Sequence, residues 1–441
     1  MPAQSTPKLD ERSDVTLALG EANDRSSDVA ARELAVFPAG RNGDAGELLG
    51  PRTAGQRRRI GAELQRLRWV GLVYLGTRVL LLLVAFLDSV LRHHSLSNEL
   101  AHWDGRWYGG LANHGYPGHV SHLQSTLGFF PLYPMVIWLV SHVFFWWSAH
   151  DPVLAITVAG VVVSGIGGLV ATVLVQRLAA GWWGEVTGRR AAFLFCLFPG
   201  SVVFSMVYAE GLGIPLAVAC ILALQHRRWL LAGVLAGFAT ACEPEALVLV
   251  VVCFTSALLE LRRSGWRAAQ ARRSLLAPLL SLAGVAAFAL YLWARTGTPF
   301  AYMLAQRYGW GSKTGPFALV HFMERLADEI SFSHFNHPTI NLNLVVGLVG
   351  AILLIGLLVL LFKTRRSISV EALVWTLGIG LLAITTENTP PNPRLLITAF
   401  PAVLVIARYV KGRTYCWLVW VTGALLAGMS ALTFVGPTLR P

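Results

Sequence analysis

From about residue 69 to the C-terminus the chain alternates apolar runs with short polar, basic or proline-broken intervals. Runs of about 20 apolar residues are long enough to cross a bilayer as helices. Single runs fall near 69–92, 153–176, 275–295, 339–362, 371–387, 394–409 and 415–436, with one pair inside 190–227 and another inside 228–262. The pattern predicts an all-α polytopic membrane protein, a bundle of about eleven transmembrane helices. Residues 129–148 are also apolar, but counting them as a span places the basic 177–190 interval on the wrong side. Their prolines, Trp138, Trp146, Trp147 and flanking histidines suit a helix lying at the outer interface instead.

Charge sets the orientation. A basic stretch from Arg57 to Arg68 precedes the first run, so the N-terminus is expected in the cytoplasm. Further clusters at Arg177 to Arg190, Arg227-Arg228, Arg262 to Arg273, Lys363 to Arg366 and Arg408 to Arg413 fit the same side. Large outer loops then cover 93–152 and 296–338, the C-terminus lies outside, and eleven of the twelve histidines face outward, His226 excepted. The net charge of +12 is spread over these clusters, which reads as topology rather than a nucleic-acid stripe. Residues 1–60 are polar and carry no apolar signal segment, so a disordered cytoplasmic tail is expected ahead of a membrane domain spanning 61–441. The five cysteines lie in or beside apolar runs without C-x-x-C spacing, which predicts small buried thiols.

The two paired runs are short. Arms of about 16 residues reach only about 24 Å. Their tips carry acid: Glu210 in Tyr208-Ala209-Glu210, and Glu243 with Glu245 around Pro244. Short arms with polar tips imply a wet cavity cut into the outer leaflet, since irregular backbone at that depth must be protein-buried or hydrated.

A third acid, Asp104, follows the first span in His102-Trp103-Asp104-Gly105-Arg106-Trp107-Tyr108, with Gly115-Tyr116 and Phe129-Phe130-Pro131-Leu132-Tyr133-Pro134 beyond. A carboxylate there is costly unless it stays wet or finds partners, which makes it a functional candidate. This block resembles the first outer loop of membrane mannosyltransferases of the PIG-V type, within the GT-C superfamily. Three further blocks carry the resemblance: Phe198-Pro199 through Glu210; Gly297-Thr298-Pro299-Phe300 with Gln306 and Trp310; and Asn392-Pro393-Arg394-Leu395-Leu396 with Phe400-Pro401. All four stand in order, and the charge argument puts all four on the outer face. Ala209 stands where the family usually has Thr, and Cys242-Glu243-Pro244-Glu245 where relatives often have a basic or Ser-Asn-type tip.

The resemblance implies a GT-C-like bundle and an inverting transfer of mannose from polyprenyl-phosphate-mannose, without metal or cofactor. The acceptor would be a glycolipid or lipoglycan, in a bacterial setting suggested by the excess of Arg over Lys. Asp104 is the expected base, which would take the proton of the attacking hydroxyl; the structural alternative is a carboxylate paired with Arg106 or with a helix N-terminus. Arg394 is expected at the phosphate, its planar fork matching that group, against a snorkelling interfacial arginine. Arg307 is a second phosphate candidate. Glu210 would bind sugar hydroxyls or brace Asp104. Trp103, Arg106 and Tyr108 complete the expected substrate contacts, with interfacial anchoring as the alternative for the aromatics. His321, His334 and His337 are further candidates for phosphate or proton relay, and His93-His94, His114, His119 and His122 have loop rather than metal-ligand spacing. The rival function is a transporter or flippase of a lipid-linked sugar. The adjacent hairpins share one orientation and keep their acids at one boundary, which favours a one-sided enzyme.

Overall fold

The computed structural model describes residues 51–93, 95–144, 151–315, 317–330, 341–386 and 391–434. Residues 1–50 of the expected tail, with His94, Trp146, Trp147, His334 and His337, lie outside them. Glu63–Pro441 form one compact unit. Among the described residues the chain is helical, and its one extended pairing is an isolated bridge between Thr314 and Thr386.

Six helices are long and apolar enough to cross a membrane, Arg68–Arg92, Pro152–Trp183, Pro244–Ser264, Ala269–Thr296, Leu342–Ser367 and Gly412–Phe434. Glu185–Leu197 and Pro199–Ser205 make a seventh if counted as one span bent by 71°. By length and composition, six or seven of the about eleven expected spans are full-length helices. The difference lies in four short apolar helices, Glu210–Gln225, Trp229–Thr240, Val370–Thr385 and Phe400–Tyr409. With 10 to 16 residues each, they reach only about 15–24 Å. Leu132–Phe144, 13 residues long, occupies the expected interfacial segment.

The bend after Leu197 has a local cause. Pro199 opens the next turn, and Phe198 before it takes an extended backbone (ψ 136°) as residues preceding proline do. The carbonyls released there meet Arg78 of the first helix. Its guanidinium donates to the Ser201 carbonyl oxygen, to Cys196 O at 3.0 Å and to Ser201 Oγ at 3.0 Å. A buried arginine that close to the bilayer interior is tolerated because it is almost fully hydrogen-bonded.

The connections sort to two ends of the bundle. At one end lie the basic turns: Trp183 Nε1 donates to Ser367 Oγ (3.0 Å), Gln225 to Ser369 Oγ (2.8 Å), Arg408 stacks on Trp183 and Arg190 on Tyr415. At the other end, Val207 N donates to Leu100 O (3.1 Å), Trp310 Nε1 to Ser125 O (3.2 Å) and Gly315 N to Thr385 O (2.9 Å). The interior between them is packed with large side chains, Trp375, Tyr74, Phe195, Phe204 and Phe400 among them. The outward faces of the long helices are apolar (Leu72, Val79, Ile352 and Ile355 are each more than half exposed), as a lipid-facing surface requires. Four of the five cysteines are buried as expected; Cys416 is exposed, on the outward face of the last helix.

Candidate functional site

Three segments far apart in sequence meet at the end of the bundle opposite the basic turns. The Asp104 carboxylate opens the helix Asp104–His114, and Glu210 opens Glu210–Gln225. Arg394 stands in the first turn of Pro393–Thr398. Arg394 Nη1 donates to Asp104 Oδ2 at 2.5 Å and its Nε lies 2.7 Å from Glu210 Oε1. The guanidinium sits over the Tyr208 ring, 5.3 Å from its centroid. The side chains are partly accessible, 25% for Arg394 and 29% for Asp104 against 9% for Glu210. Asp104 and Arg394 thus face an opening while Glu210 backs them.

Local chemistry holds each member. Trp103, just before Asp104, is one of three described non-glycine residues with positive φ, at 57°. Such a backbone costs about 1–3 kcal/mol and persists where the surroundings over-determine it. Asn392 caps the Arg394 helix, its Oδ1 accepting from Leu395 N at 2.9 Å, and Pro393 supplies the preset φ of a first helical position. A cation in a first turn opposes the helix dipole; the two carboxylates offset that. Gly200 lets this turn approach the bend, because a Cβ there would overlap the Pro393 carbonyl. Tyr208 is held from behind, Ser164 Oγ donating to its carbonyl at 3.0 Å and itself bonded to Tyr133 Oη at 2.8 Å. Tyr133 belongs to the Phe-Phe-Pro-Leu-Tyr-Pro run, so that motif supports the Tyr-x-Glu block directly.

Beside the charges stands an aromatic wall. Trp107, Tyr108, Phe129 and Trp310 meet at ring centroid distances of 4.9 to 6.1 Å, and Gln306 Nε2 donates to Gly128 O at 3.0 Å. The Gly-Thr-Pro-Phe block therefore docks on the first outer loop. Burial pushes the Tyr108 hydroxyl well above its ordinary pKa, with Glu210 and Asp104 adding to the shift. Burial raises the Tyr302 hydroxyl too, with the charge of Glu245 adding to the shift. An apolar cavity of about 1000 Å³ lies between Asp104–His114, Leu132–Phe144, Trp229–Thr240 and the segment around Phe288. Leu111, Trp138, Phe238 and Tyr291 line it, and Ala241 joins it to the Glu243 tip.

The expected site residues divide. Asp104, Glu210 and Arg394 come together. Tyr108 packs in the wall with Phe129 and Tyr133, where its ring is buried rather than available to stack on a sugar. Trp103 is half-buried beside Asp104. Arg106 is exposed, and Asp104 pairs with Arg394 in its place, since a side chain two residues on in a helix points to the opposite face. Arg307 is exposed and stacks on Tyr308 (5.7 Å) within the π-helical turn Ala305–Gly309, apart from the Arg394 pairings. His122 stacks on the same Tyr308 at 5.1 Å. Among the described residues no three His, Cys, Asp or Glu side chains stand where they could hold a metal ion. Arg78 was not among the candidates, although a lone arginine within an apolar run is itself a signal.

The fold and this site define an all-α multi-pass membrane protein with a charged centre at one end. Residues 78–295 match the family model described as Mannosyltransferase (PIG-V). The oligosaccharyltransferase of Archaeoglobus fulgidus in complex with zinc and sulfate is similar at 14% identity and a TM-score of 0.40, over 82% of this chain and 52% of that one. ArnT from Cupriavidus metallidurans bound to undecaprenyl phosphate is similar at 15% identity and a TM-score of 0.44, over 80% of this chain and 62% of that one. The chain thus spans between half and two thirds of the length of these structures. No curated protein matches it.

Proposed function

We propose that this chain is a membrane mannosyltransferase that moves mannose from polyprenyl-phosphate-mannose to a glycolipid or lipoglycan acceptor on the outer face. One observation carries the chemistry: a single arginine lies between Asp104 and Glu210 at a partly open end of the bundle. In the reaction the acceptor hydroxyl oxygen bonds to the anomeric carbon and the bond from that carbon to the phosphate oxygen breaks. The hydroxyl proton passes to Asp104, and the bonding pair leaves with the phosphate, which Arg394 attracts. Glu210 keeps the guanidinium in place as Asp104 gives up its share of it. Attack opposite the departing phosphate inverts the sugar.

The apolar cavity suits the hydrocarbon of a lipid substrate. Leu111 on its wall is two turns along the helix from Asp104, about 10 Å at 1.5 Å per residue, so a chain in the cavity can present a headgroup to the charges. The test is mannose transfer by purified wild type and Asp104→Asn from synthetic polyprenyl-phosphate-mannose to a membrane-lipid fraction. General-base help is worth about 10²–10⁴ in rate, so the variant is expected to fall at least about a hundredfold with folding intact. Equal transfer by both removes Asp104 as base. No transfer, with lipid-linked sugar crossing liposomes, makes the protein a transporter.

A further inference from the structure

The tip at Cys242-Glu243-Pro244-Glu245 holds an acid that the reaction above does not use. Glu243 is only 5% exposed. Its carboxyl lies flat on Gly213, where a Cβ would overlap Oε1 and press on Cδ. Gly213 follows Glu210 by three residues in the same helix, so the two share a face and the Glu243 carboxyl packs on that face one turn from Glu210. The groups that face it are Glu210 from that helix, Glu245 and Cys242 from its own tip, and Arg394 across the site.

Counting charge decides what form it takes. Arg394 is the one cation among these groups, and its fork is already divided between Asp104 and Glu210. A third carboxylate at this depth has no positive charge left to hold it, and burying an unpaired charge costs far more than burying a neutral acid. A carboxylic acid, by contrast, brings one O–H to donate and an adjacent carboxylate that can accept.

We propose that Glu243 is a positioning residue, which keeps its proton, gives it as a hydrogen bond to Glu210 and so fixes Glu210 against Arg394. Held in this way, Arg394 presents one edge to Asp104 in a single geometry. Burial pushes the Glu243 carboxyl well above the usual carboxylate range, and Glu210 and Glu245 push it further, with Arg394 opposing them. The sign follows. Below that raised value Glu243 is neutral and braces Glu210; as pH rises through it, a carboxylate forms beside Glu210 and the brace turns into repulsion. Activity then falls on the alkaline side.

The activity arm of the test rests on the mannosyltransferase reading; a spectroscopic arm does not. In detergent, the infrared carbonyl band of a protonated carboxylic acid is expected at neutral pH in the wild type and lost in Glu243→Gln. In the transfer assay with polyprenyl-phosphate-mannose and a membrane-lipid fraction, Glu243→Ala is expected to lower kcat by up to about a hundredfold, the cost of misplacing a reacting group by about 1 Å. KM changes little. Glu243→Gln, neutral and of the same shape, recovers most of that loss, and its pH profile lacks the alkaline fall. Gly213→Ala, which fills the notch from the other side, loses kcat as Glu243→Ala does. The proposal is overturned if the band is unchanged in Glu243→Gln, or if wild type and Glu243→Gln share one alkaline limb. Should the wild type transfer no mannose while the band behaves as expected, the proton stays on Glu243 and the functional reading alone fails.

Discussion

Arg394 shows how much of this site depends on one side chain. A guanidinium can serve two carboxylates from different edges of one plane, whereas an ammonium is a point charge that must favour one. Arg394→Lys is therefore expected to lose transfer activity nearly as fully as Arg394→Gln. For stability, the order of variants is the informative quantity. Removing one partner of a buried pair leaves the other charge uncompensated, at about 3–5 kcal/mol when the pair is fully buried. Arg394 and Asp104 are a quarter or more exposed, so solvent screens part of this. Glu210 is not so screened. Arg394→Gln is expected to unfold more readily than the double variant Arg394→Gln/Glu210→Gln, which removes the orphaned charge as well. A thermal-unfolding cycle of the four proteins checks it; a double variant less stable than Arg394→Gln refutes the assignment of Glu210 as the dependent charge. Asp104, Glu210 and Arg394 were all legible in the sequence, because each is a charged residue beside an apolar run, where a charge needs a reason. Their mutual pairing was not. Asp104 has Arg106 two residues away and Arg394 nearly three hundred residues away, and helix geometry alone discards the near partner.

At the scale of elements, the bend after Leu197 is the part that positions the arginine. Pro199 breaks the helix, Arg78 takes up the carbonyls the break releases, and Gly200 admits the turn that carries Arg394. Gly200→Ala would set a methyl against the Pro393 carbonyl oxygen, a backbone atom that cannot rotate away. Overpacking of this kind costs about 1–3 kcal/mol. The displaced turn is expected to take Arg394 off Asp104, so activity should fall more than the modest loss of melting temperature suggests. Gly165→Ala, on a helix where a Cβ meets only ordinary contact, is the control. Equal activity in the two variants would show that the bend does not set the arginine. The short helices were readable as short because proline, glycine and acid interrupt the apolar runs. The number of full crossings was not, since a run of 16 apolar residues has the same composition whether it spans or stops within one leaflet. Arg78 is hard to read from sequence for a related reason: basic clusters mark topology, and a single arginine inside a run adds to no cluster.

For the whole molecule, the separation of charge along the bundle is the property that links sequence to orientation. Turns at Arg190, Arg227 and Arg366 gather at one end and the Asp104, Glu210 and Arg394 site at the other. Basic loops stay in the cytoplasm when membrane proteins insert, so the site end is expected outside, where a lipid-linked sugar would be consumed. Cysteine labelling tests this. Cys196, Cys220, Cys242 and Cys253 are buried and Cys416 is exposed, so Cys416→Ser gives a quiet background. His119 lies exposed in the loop after Asp104–His114, and Arg366 lies exposed between Leu342–Thr364 and Val370–Thr385. In intact cells a membrane-impermeant maleimide is expected to label His119→Cys at once and Arg366→Cys only after permeabilisation. The reverse pattern would turn the site to the cytoplasm, and with it the donor pool, since a polyprenyl-phosphate sugar and its acceptor must then be met on the inner leaflet. Labelling of both positions from outside would mean an even number of crossings between them. That would remove the parity that makes residues 129–148 an interfacial helix rather than a span.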